Sequence, residues 1–147
     1  MNLIQWLMDG DVSIQYQVKR DLLGHDDINL RKRIEYEGFG KRLLEKQQPD
    51  GHWGGGYYHY KWINTHYTLL EFRRLNMIPN ENILKITNKI ADDYKPKDGG
   101  ITPNAHVWEF SDVCVNGMLL FCMCNFRIDE KKLESVIDFI IAQQLHD

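Results

Sequence analysis

The stretch QQPDG at residues 47–51 decides the fold, because two similar turns follow it at a nearly constant spacing. They are KPKDGG at 95–100 and QQLHD at 143–147, and the three aspartates stand 48 and 49 residues apart. An Asp-Gly pair after a helix favours a tight turn, since glycine adopts left-handed backbone angles and the aspartate side chain bonds nearby amides. The spacing predicts an internal repeat of about 48 residues.

Apolar positions between the turns recur with the same period. Four pairs coincide when the chain is shifted by 49 residues: Leu70 and Leu119, Phe72 and Phe121, Asn76 and Asn125, Glu81 and Glu130. A matching turn and matching apolar positions together predict that each unit repeats one supersecondary structure.

Each unit is predicted to hold two helices of different character. Apolar residues at helical spacing predict one-sided helices in two segments, through Ile83, Ile86, Ile90 and Tyr94, and through Leu133, Val136, Ile137, Ile140 and Ile141. The segment 113–126 is apolar almost all the way round, so we expect burial on every side, and 63–75 is similar until its charged end at Glu71, Arg73 and Arg74. Alternating helices of these two kinds predict an inner layer wrapped by an outer one. The fold class is therefore all-α, since no useful period-2 alternation predicts a strand.

The first thirty residues differ from the rest. Short helices are predicted at 1–8 and 13–24, separated by Asp-Gly-Asp at 9–11, with Ile14, Val18 and Leu22 on one face. Terminal units of repeat arrays are often atypical because they cap the stack. We expect a single helical domain over 1–147, with capping helices in 1–30 and repeats in 31–147.

Composition excludes several classes. A net charge of −3 and a pI near 6.1 lack the basic footprint of nucleic-acid binding. The longest uncharged apolar run, 113–126, is fourteen residues, short of the ~20 that span a bilayer. The amino terminus lacks the features of a secretory signal. An odd set of three cysteines in one predicted helix argues for a reducing compartment, so we expect the cytoplasm.

The segment Gly40–Trp53, GKRLLEKQQPDGHW, resembles the QW repeat of squalene–hopene and oxidosqualene cyclases. Gly40, Leu44, Gln48, Asp50, Gly51 and Trp53 fit that pattern, while Leu43 replaces its aromatic residue. The start of another copy fits at Phe139, Ile140, Gln144 and Asp147, and the middle copy lacks the glutamine and tryptophan. The resemblance covers 36–147 and implies an α/α toroid of the squalene-cyclase and prenyltransferase type. In that family the glutamine and tryptophan tie helix ends together.

We therefore assign a structural role to the turn residues of the repeat. They are Gln48, Asp50, Gly51, Trp53, Asp98, Gly99, Gln144 and Asp147.

The resemblance also implies a central apolar cavity suited to an isoprenoid or similar ligand. Its cyclase members protonate substrate with an Asp-x-Asp-Asp acid, and neither Asp26-Asp27 nor Asp92-Asp93 has an aspartate two residues upstream. Protein prenyltransferase β subunits bind zinc, and Asp112 with Cys114 resembles their Asp-x-Cys pair. The third ligand would be His106 or His66. No other cofactor is expected.

Aromatic residues concentrate in 53–72, which holds seven of the chain's seventeen, interleaved with histidines and Gly54-Gly55-Gly56. Their faces could stabilise a terpene cation, line an apolar pocket or stack on a sugar, or they could close the barrel end as core. The candidate ligand-binding residues are Trp53, Tyr57, Tyr58, Tyr60, Trp62, His66 and Tyr67.

Two other function classes stay open. The segment 12–23 resembles one HEAT-type helix, which is typical of scaffolds that bind partner proteins. A carbohydrate-active α/α toroid would need paired carboxylates ~5–10 Å apart. Three incomplete units leave inner faces uncovered, so we expect a truncated chain or half-length paralogue that self-associates through its open ends.

Overall fold

The computed structural model describes residues 2–103 and 109–145, and every regular element within them is helical. The all-α prediction is therefore confirmed for the described residues. The helices are α1 (Leu3–Met8), α2 (Val12–Gln17, continued by a π-helical turn at Val18–Leu22), α3 (Ile28–Arg33), α4 (Gly38–Leu44), α5 (Thr65–Arg74), α6 (Glu81–Asp93), α7 (Val113–Asn125) and α8 (Glu130–Ala142).

Asparagine or aspartate side chains begin most of these helices. Each accepts a hydrogen bond from a backbone N–H two or three residues on, which satisfies a donor that the first turn leaves free. Asp129, for example, caps α8 by accepting from Lys131 N at 3.1 Å. The capping residues are Asn2, Asp11, Asp27, Asn64, Asn80, Asp112 and Asp129.

Each of the longer helices packs against its counterpart in the neighbouring unit. Helix α5 contacts α7, α6 contacts α8, and α7 and α8 also contact each other. Near the amino terminus, α2 packs against α1, α3 and α4. The buried core runs through the long helices and includes Leu69, Phe72, Ile83, Ile86, Ile90, Leu119, Met123 and Val136. No described helix has the length and apolar character needed to cross a membrane.

Burial of α7 on every side is a wrong prediction. Val115, Leu119 and Met123 are buried, whereas the opposite side of the helix is open over Cys114, Gly117, Phe121 and Cys124. In the part of the chain that the structure describes, α5 and α8 are the main elements packed on this helix, and they cover only one side. An apolar surface without a covering element stays exposed, whatever its composition.

The predicted equivalence of Phe72 and Phe121 also fails in its environment, since Phe72 is fully buried and Phe121 is 52% exposed. Both helices end in the same left-handed turn, in which Met77 N bonds Phe72 O and Ile128 N bonds Met123 O, each at 3.0 Å. Phe72 therefore corresponds to Met123. Helix α7 is longer than α5, so a shift of 49 residues does not pair equivalent positions at the ends of the two helices.

Two other predicted faces need correction. On α8, Ile137 and Ile141 are 38% and 62% exposed, whereas Phe139 is buried. On the amino-terminal helix, Ile14 and Leu22 are 38% and 57% exposed. The buried residues there are Val12, Tyr16 and Val18, and α2 packs against α3 and α4. The π-helical turn that follows Gln17 rotates later side chains away from the simple 3.6-residue pattern.

The two central Asp-Gly turns have the same backbone. Gly51 and Gly99 have φ angles of 87° and 85°, in the left-handed region that favours glycine. Asp50 accepts from His52 N at 2.9 Å, and Asp98 accepts from Gly100 N at 3.1 Å.

The third turn begins where Gln144 N bonds Ile141 O at 3.1 Å after α8. Its Asp147 lies outside the described residues.

Candidate functional site

A cleft of about 870 Å³ opens beside the loop that joins the first turn to α5. One wall is the loop at 55–59, and the other is the last turn of α6 with Tyr94 after it. Thr102, Pro103, Phe110 and Asp112 also line the cleft, together with Val115 of α7. The cleft therefore lies where the first unit, the second turn and α7 come together.

Glycines allow the loop to fold tightly enough to form this wall. A Cβ at Gly54 would lie 2.8 Å from Ile63 O, and one at Gly55 would lie 2.6 Å from the His59 ring. Tyr60 and Trp62 also have positive φ angles, 57° and 81°, which are strained for aromatic residues. The loop is thus held in a conformation that its own backbone preferences disfavour.

The Thr65 hydroxyl fastens the loop to α5. Its Oγ1 accepts from Trp53 N at 3.0 Å and donates to Gly56 O at 3.0 Å, and His52 Nδ1 lies 2.9 Å away. The hydroxyl has one proton, and the contact with Gly56 O needs it because that oxygen cannot donate. His52 Nδ1 must therefore carry a proton for its own contact, which leaves Nε2 with a free lone pair.

That lone pair faces Tyr94, whose hydroxyl lies 3.5 Å from His52 Nε2. The Tyr94 ring also meets the Tyr57 ring edge-on, with centroids 5.0 Å apart. Burial lowers the pKa of His52, although Asp50 acts in the opposite direction, so the imidazole is neutral at pH 7. Burial raises the pKa of Tyr94, which keeps its hydroxyl protonated. A neutral histidine thus stands behind a tyrosine of the cleft wall.

His66 lies in a second aromatic cluster behind the other wall. Its ring is surrounded by Tyr57, Tyr58 and Tyr67 at centroid distances of 5.9, 5.1 and 5.2 Å. Nδ1 is 3.4 Å from the Tyr57 hydroxyl, and Nε2 is buried with no partner among the described residues. Burial lowers the pKa of His66 to about 4. The cluster is therefore uncharged and apolar at neutral pH.

The structure divides the predicted ligand-binding residues. Tyr57 and Tyr58 line the cleft, and Tyr67 supports Tyr58 from behind, with hydroxyls 3.3 Å apart. Tyr60 and Trp62 are 61% and 70% exposed and do not line it. His66 stands behind the wall, and Trp53 belongs to the core.

Trp53 instead has contacts that match its predicted structural role. Its indole Nε1 donates to Leu43 O at the end of α4 at 2.7 Å, and its ring packs edge-on against Phe72. The Gln48 amide donates to Gly54 O across the same turn. These bonds join the end of one helix to the loop that leads to the next.

Sequence reasoning missed four cleft residues, Lys89, Asp93, Tyr94 and Phe110, and also His52, which stands behind Tyr94. The sequence predicts Tyr94 only as the last apolar position of its helix, and it is half-buried because the cleft opens beside it. The histidines between the aromatic residues were the one available indication of His52.

The predicted zinc ligands do not form a site in the described residues. Asp112 caps α7 by accepting from Val115 N at 2.9 Å, and Cys114 is exposed in the first turn of that helix. No group of three histidine, cysteine or acidic side chains suited to a metal ion occurs within 2–103 and 109–145. His106 lies outside those ranges, so zinc binding stays a prediction.

Comparison of the chain with family models, curated proteins and solved structures gives no match.

Proposed function

We propose that this chain has the repeat structure of a squalene-cyclase and prenyltransferase-like α/α toroid and binds an isoprenoid or similar apolar ligand in the cleft beside Tyr57 and Tyr58. The observation that carries the proposal is the cleft itself. Its volume of about 870 Å³ falls within the ~300–1,000 Å³ typical of small-molecule sites.

The toroid part of the proposal is supported by the packing and the turns. Contacts of α5 with α7 and of α6 with α8 are those expected when helix pairs stack in two layers. The Asp-Gly turns with φ angles of 87° and 85° lie 48 residues apart. The bond from Trp53 to Leu43 ties the end of α4, as the QW resemblance implies.

The nature of the ligand follows from the walls. Tyr57, Tyr58, Tyr94, Phe110 and Val115 present mostly apolar surface, which favours a ligand with a hydrocarbon body. Burying each methylene contributes about 0.8 kcal/mol, so affinity should rise with chain length until the cleft is full.

The test is isothermal titration calorimetry with geraniol, farnesol and glucose oligomers. We expect both alcohols to bind, farnesol more tightly than geraniol, and the sugars not to bind. Phe110→Ala should weaken binding, because Phe110 lines the cleft. Phe39→Ala is the matched control, an exposed phenylalanine on α4. Absence of prenyl alcohol binding up to the solubility limit would overturn the proposal.

A carbohydrate ligand is the second candidate, favoured by one observation. Asp93 and Asp112 line the same cleft as Tyr57 and Tyr58, and glycoside chemistry uses two carboxylates that flank the sugar. Sugar binding in the same titration, lost in Asp93→Asn and Asp112→Asn, would favour this candidate over the apolar one.

A protein-interaction role is the third, with a second copy of this chain as the partner. Phe121 on the open side of α7 and Ile137 and Ile141 on α8 are exposed on two helices that pack against each other, and large exposed apolar patches mark interaction surfaces. Sedimentation should show a concentration-dependent dimer that Ile141→Glu abolishes and Leu22→Glu, at an exposed leucine of the amino-terminal helix, leaves intact. A monomer at every concentration would refute it.

A further inference from the structure

We propose that Tyr94, oriented by His52, accepts a hydrogen bond from a hydroxyl group of the ligand. This inference rests on the proposed function, because it assigns the polar end of the ligand that the cleft holds. It makes Tyr94 a residue that selects alcohols over ethers and hydrocarbons.

The first step is the protonation of His52. The two contacts of Thr65 Oγ1, with Gly56 O at 3.0 Å and with His52 Nδ1 at 2.9 Å, each need a proton between their atoms. Only one arrangement supplies both: the hydroxyl donates to Gly56 O, and Nδ1–H donates to the hydroxyl. Because burial lowers the pKa of His52 and the imidazole is neutral, Nε2 then has no proton and can only accept.

The second step is the orientation of the Tyr94 hydroxyl. Its oxygen is 3.5 Å from His52 Nε2, at the long end of hydrogen-bond range. Because Nε2 is an acceptor, the tyrosine proton points toward it. The phenol oxygen then has only lone pairs to offer to other partners, so it accepts rather than donates.

The third step is the place of Tyr94 in the cleft. It lines the wall at the end of α6, next to Lys89 and Asp93 and opposite the Gly55–Tyr58 loop. Its ring is held by the edge-on contact with Tyr57, and its backbone oxygen accepts from Thr102 N at 2.9 Å. The tyrosine is therefore fixed before a ligand arrives, which lowers the entropy cost of the bond.

A ligand with a hydroxyl donor fits this acceptor. An ether of the same shape has no donor and would leave the tyrosine oxygen without a partner, which sites built for a hydrogen bond reject. A hydroxyl occurs on prenyl alcohols and on sugars alike. Both classes of ligand share the hydroxyl donor. The rest of the ligand, a hydrocarbon chain or a sugar ring, decides which class binds.

The test compares geraniol with geranyl methyl ether by isothermal titration calorimetry on the full chain. We expect the alcohol to bind roughly five- to tenfold more tightly, the effect of one neutral hydrogen bond. Tyr94→Phe should abolish this preference. A preference that survives in Tyr94→Phe would come from another acceptor, such as Asp93 or Asp112, and would overturn the inference.

Two His52 variants separate orientation from folding. In His52→Asn the amide can still donate to Thr65 but does not reach Tyr94, so the preference should fall. In His52→Gln the longer amide can reach Tyr94 as an acceptor, so the preference should be restored at least in part. Equal preference in both variants and in the wild type would show that His52 does not orient the tyrosine.

The outcomes also distinguish this inference from the function it rests on. If neither prenyl compound binds, the apolar ligand is wrong. If glucose oligomers bind instead and Tyr94→Phe weakens them, the hydroxyl acceptor stands and the ligand is a sugar. If both prenyl compounds bind equally to the wild type, the cleft binds apolar ligands and the inference about Tyr94 is wrong.

Discussion

The first Asp-Gly turn, at residues 50–53, and the second, at 98–101, share a backbone and differ at one functional position. His52 of the first corresponds to Gly100 of the second, two residues after the aspartate in each case. A Cβ at Gly100 would lie 2.5 Å from Ser111 Oγ, so no side chain fits there without movement. The same turn holds the fold in both places, and only the first has room for a side chain, which stands behind Tyr94 of the cleft wall.

The two turns are also anchored by different side chains, Asn116 of α7 at the second turn and Thr65 of α5 at the first. Asn116 of α7 accepts from Ile101 N at 2.7 Å and donates to Ile101 O at 2.8 Å, so both ends of its amide serve the turn. Thr65 of α5 bonds Trp53 N and Gly56 O, and its remaining lone pair accepts from His52. The Thr65 hydroxyl thus bonds the backbone beside the turn and also holds His52, whereas both ends of the Asn116 amide bond the turn backbone.

The largest expected effect comes from the apolar residue that closes each turn. Trp53→Ala should lower the free energy of unfolding by about 4–5 kcal/mol, and Ile101→Ala by about 3 kcal/mol, since the tryptophan is larger and also bonds Leu43 O. Urea denaturation followed by far-ultraviolet circular dichroism measures both. Trp53→Phe keeps most of the volume and should cost less than either. An Ile101→Ala loss equal to that of Trp53→Ala would contradict the ranking.

Much of this organisation was predictable, since turn chemistry and helix periodicity are local. The positions of Asp50 and Asp98, the capping by Asp112 and Asp129, and the buried face of α6 all follow from short stretches of sequence.

What surrounds a helix is not local. Helix α7 is apolar on both sides, so its composition does not reveal which side is open. The exposure of Phe121 depends on which elements pack against that helix. The cleft was missed for a related reason. Tyr94 reads as a core position of α6, and only the fold shows that the Gly55–Tyr58 loop stands across from it.

Acid should destabilise the part of the fold around the first turn and α5, because the buried histidines of the described residues, His52 and His66, both lie there. The pKa of His66 is lowered from an unfolded value of ~6.5 to about 4 in the folded chain. Its contribution to stability is complete above pH ~6.5. Below that, the unfolded chain binds a proton that the folded chain does not, and stability falls until about pH 4.

The expected loss from His66 is about 3 kcal/mol between pH 7 and 4. Urea denaturation at a series of pH values measures it. His66→Phe fills the same aromatic cluster without a titrating group and should flatten this part of the profile. His59→Asn, at an exposed histidine, is the matched control and should leave the slope unchanged. An unaltered slope in His66→Phe would show that other groups cause the acid sensitivity.

Substitution of the two anchoring side chains, Asn116 and Thr65, should lower the free energy of unfolding by amounts that differ less. Asn116→Ala leaves Ile101 N and O without partners and should cost about 3 kcal/mol. Thr65→Val keeps the shape and removes the hydroxyl, for about 2 kcal/mol. Thr65→Ser retains the hydroxyl and serves as the control. Amide hydrogen exchange should show faster exchange at Ile101 in the first variant and at Trp53 in the second; exchange unchanged at both would refute the assigned anchoring.

The smallest effect concerns the glycines of the two turns. Alanine at Gly51 or Gly99 must adopt a φ of 87° or 85°, which costs about 1–2 kcal/mol in either turn. The second turn has a further constraint, since a Cβ at Gly99 would lie 3.1 Å from Ser135 O of α8. At Gly51 the nearest atom is Ile86 Cδ1 at 3.6 Å, an ordinary contact.

Gly99→Ala should therefore be the more destabilising of the pair, by roughly 0.5 kcal/mol, because a helix backbone yields less readily than the end of an isoleucine. Urea midpoints of the two variants, measured side by side, decide it. Lys95 Nζ bonds Lys132 O and Ser135 Oγ at 2.8 Å and already holds the second turn against α8. If Gly51→Ala were instead the worse variant, the first turn would be the more tightly packed one, and the space that admits His52 would need another explanation.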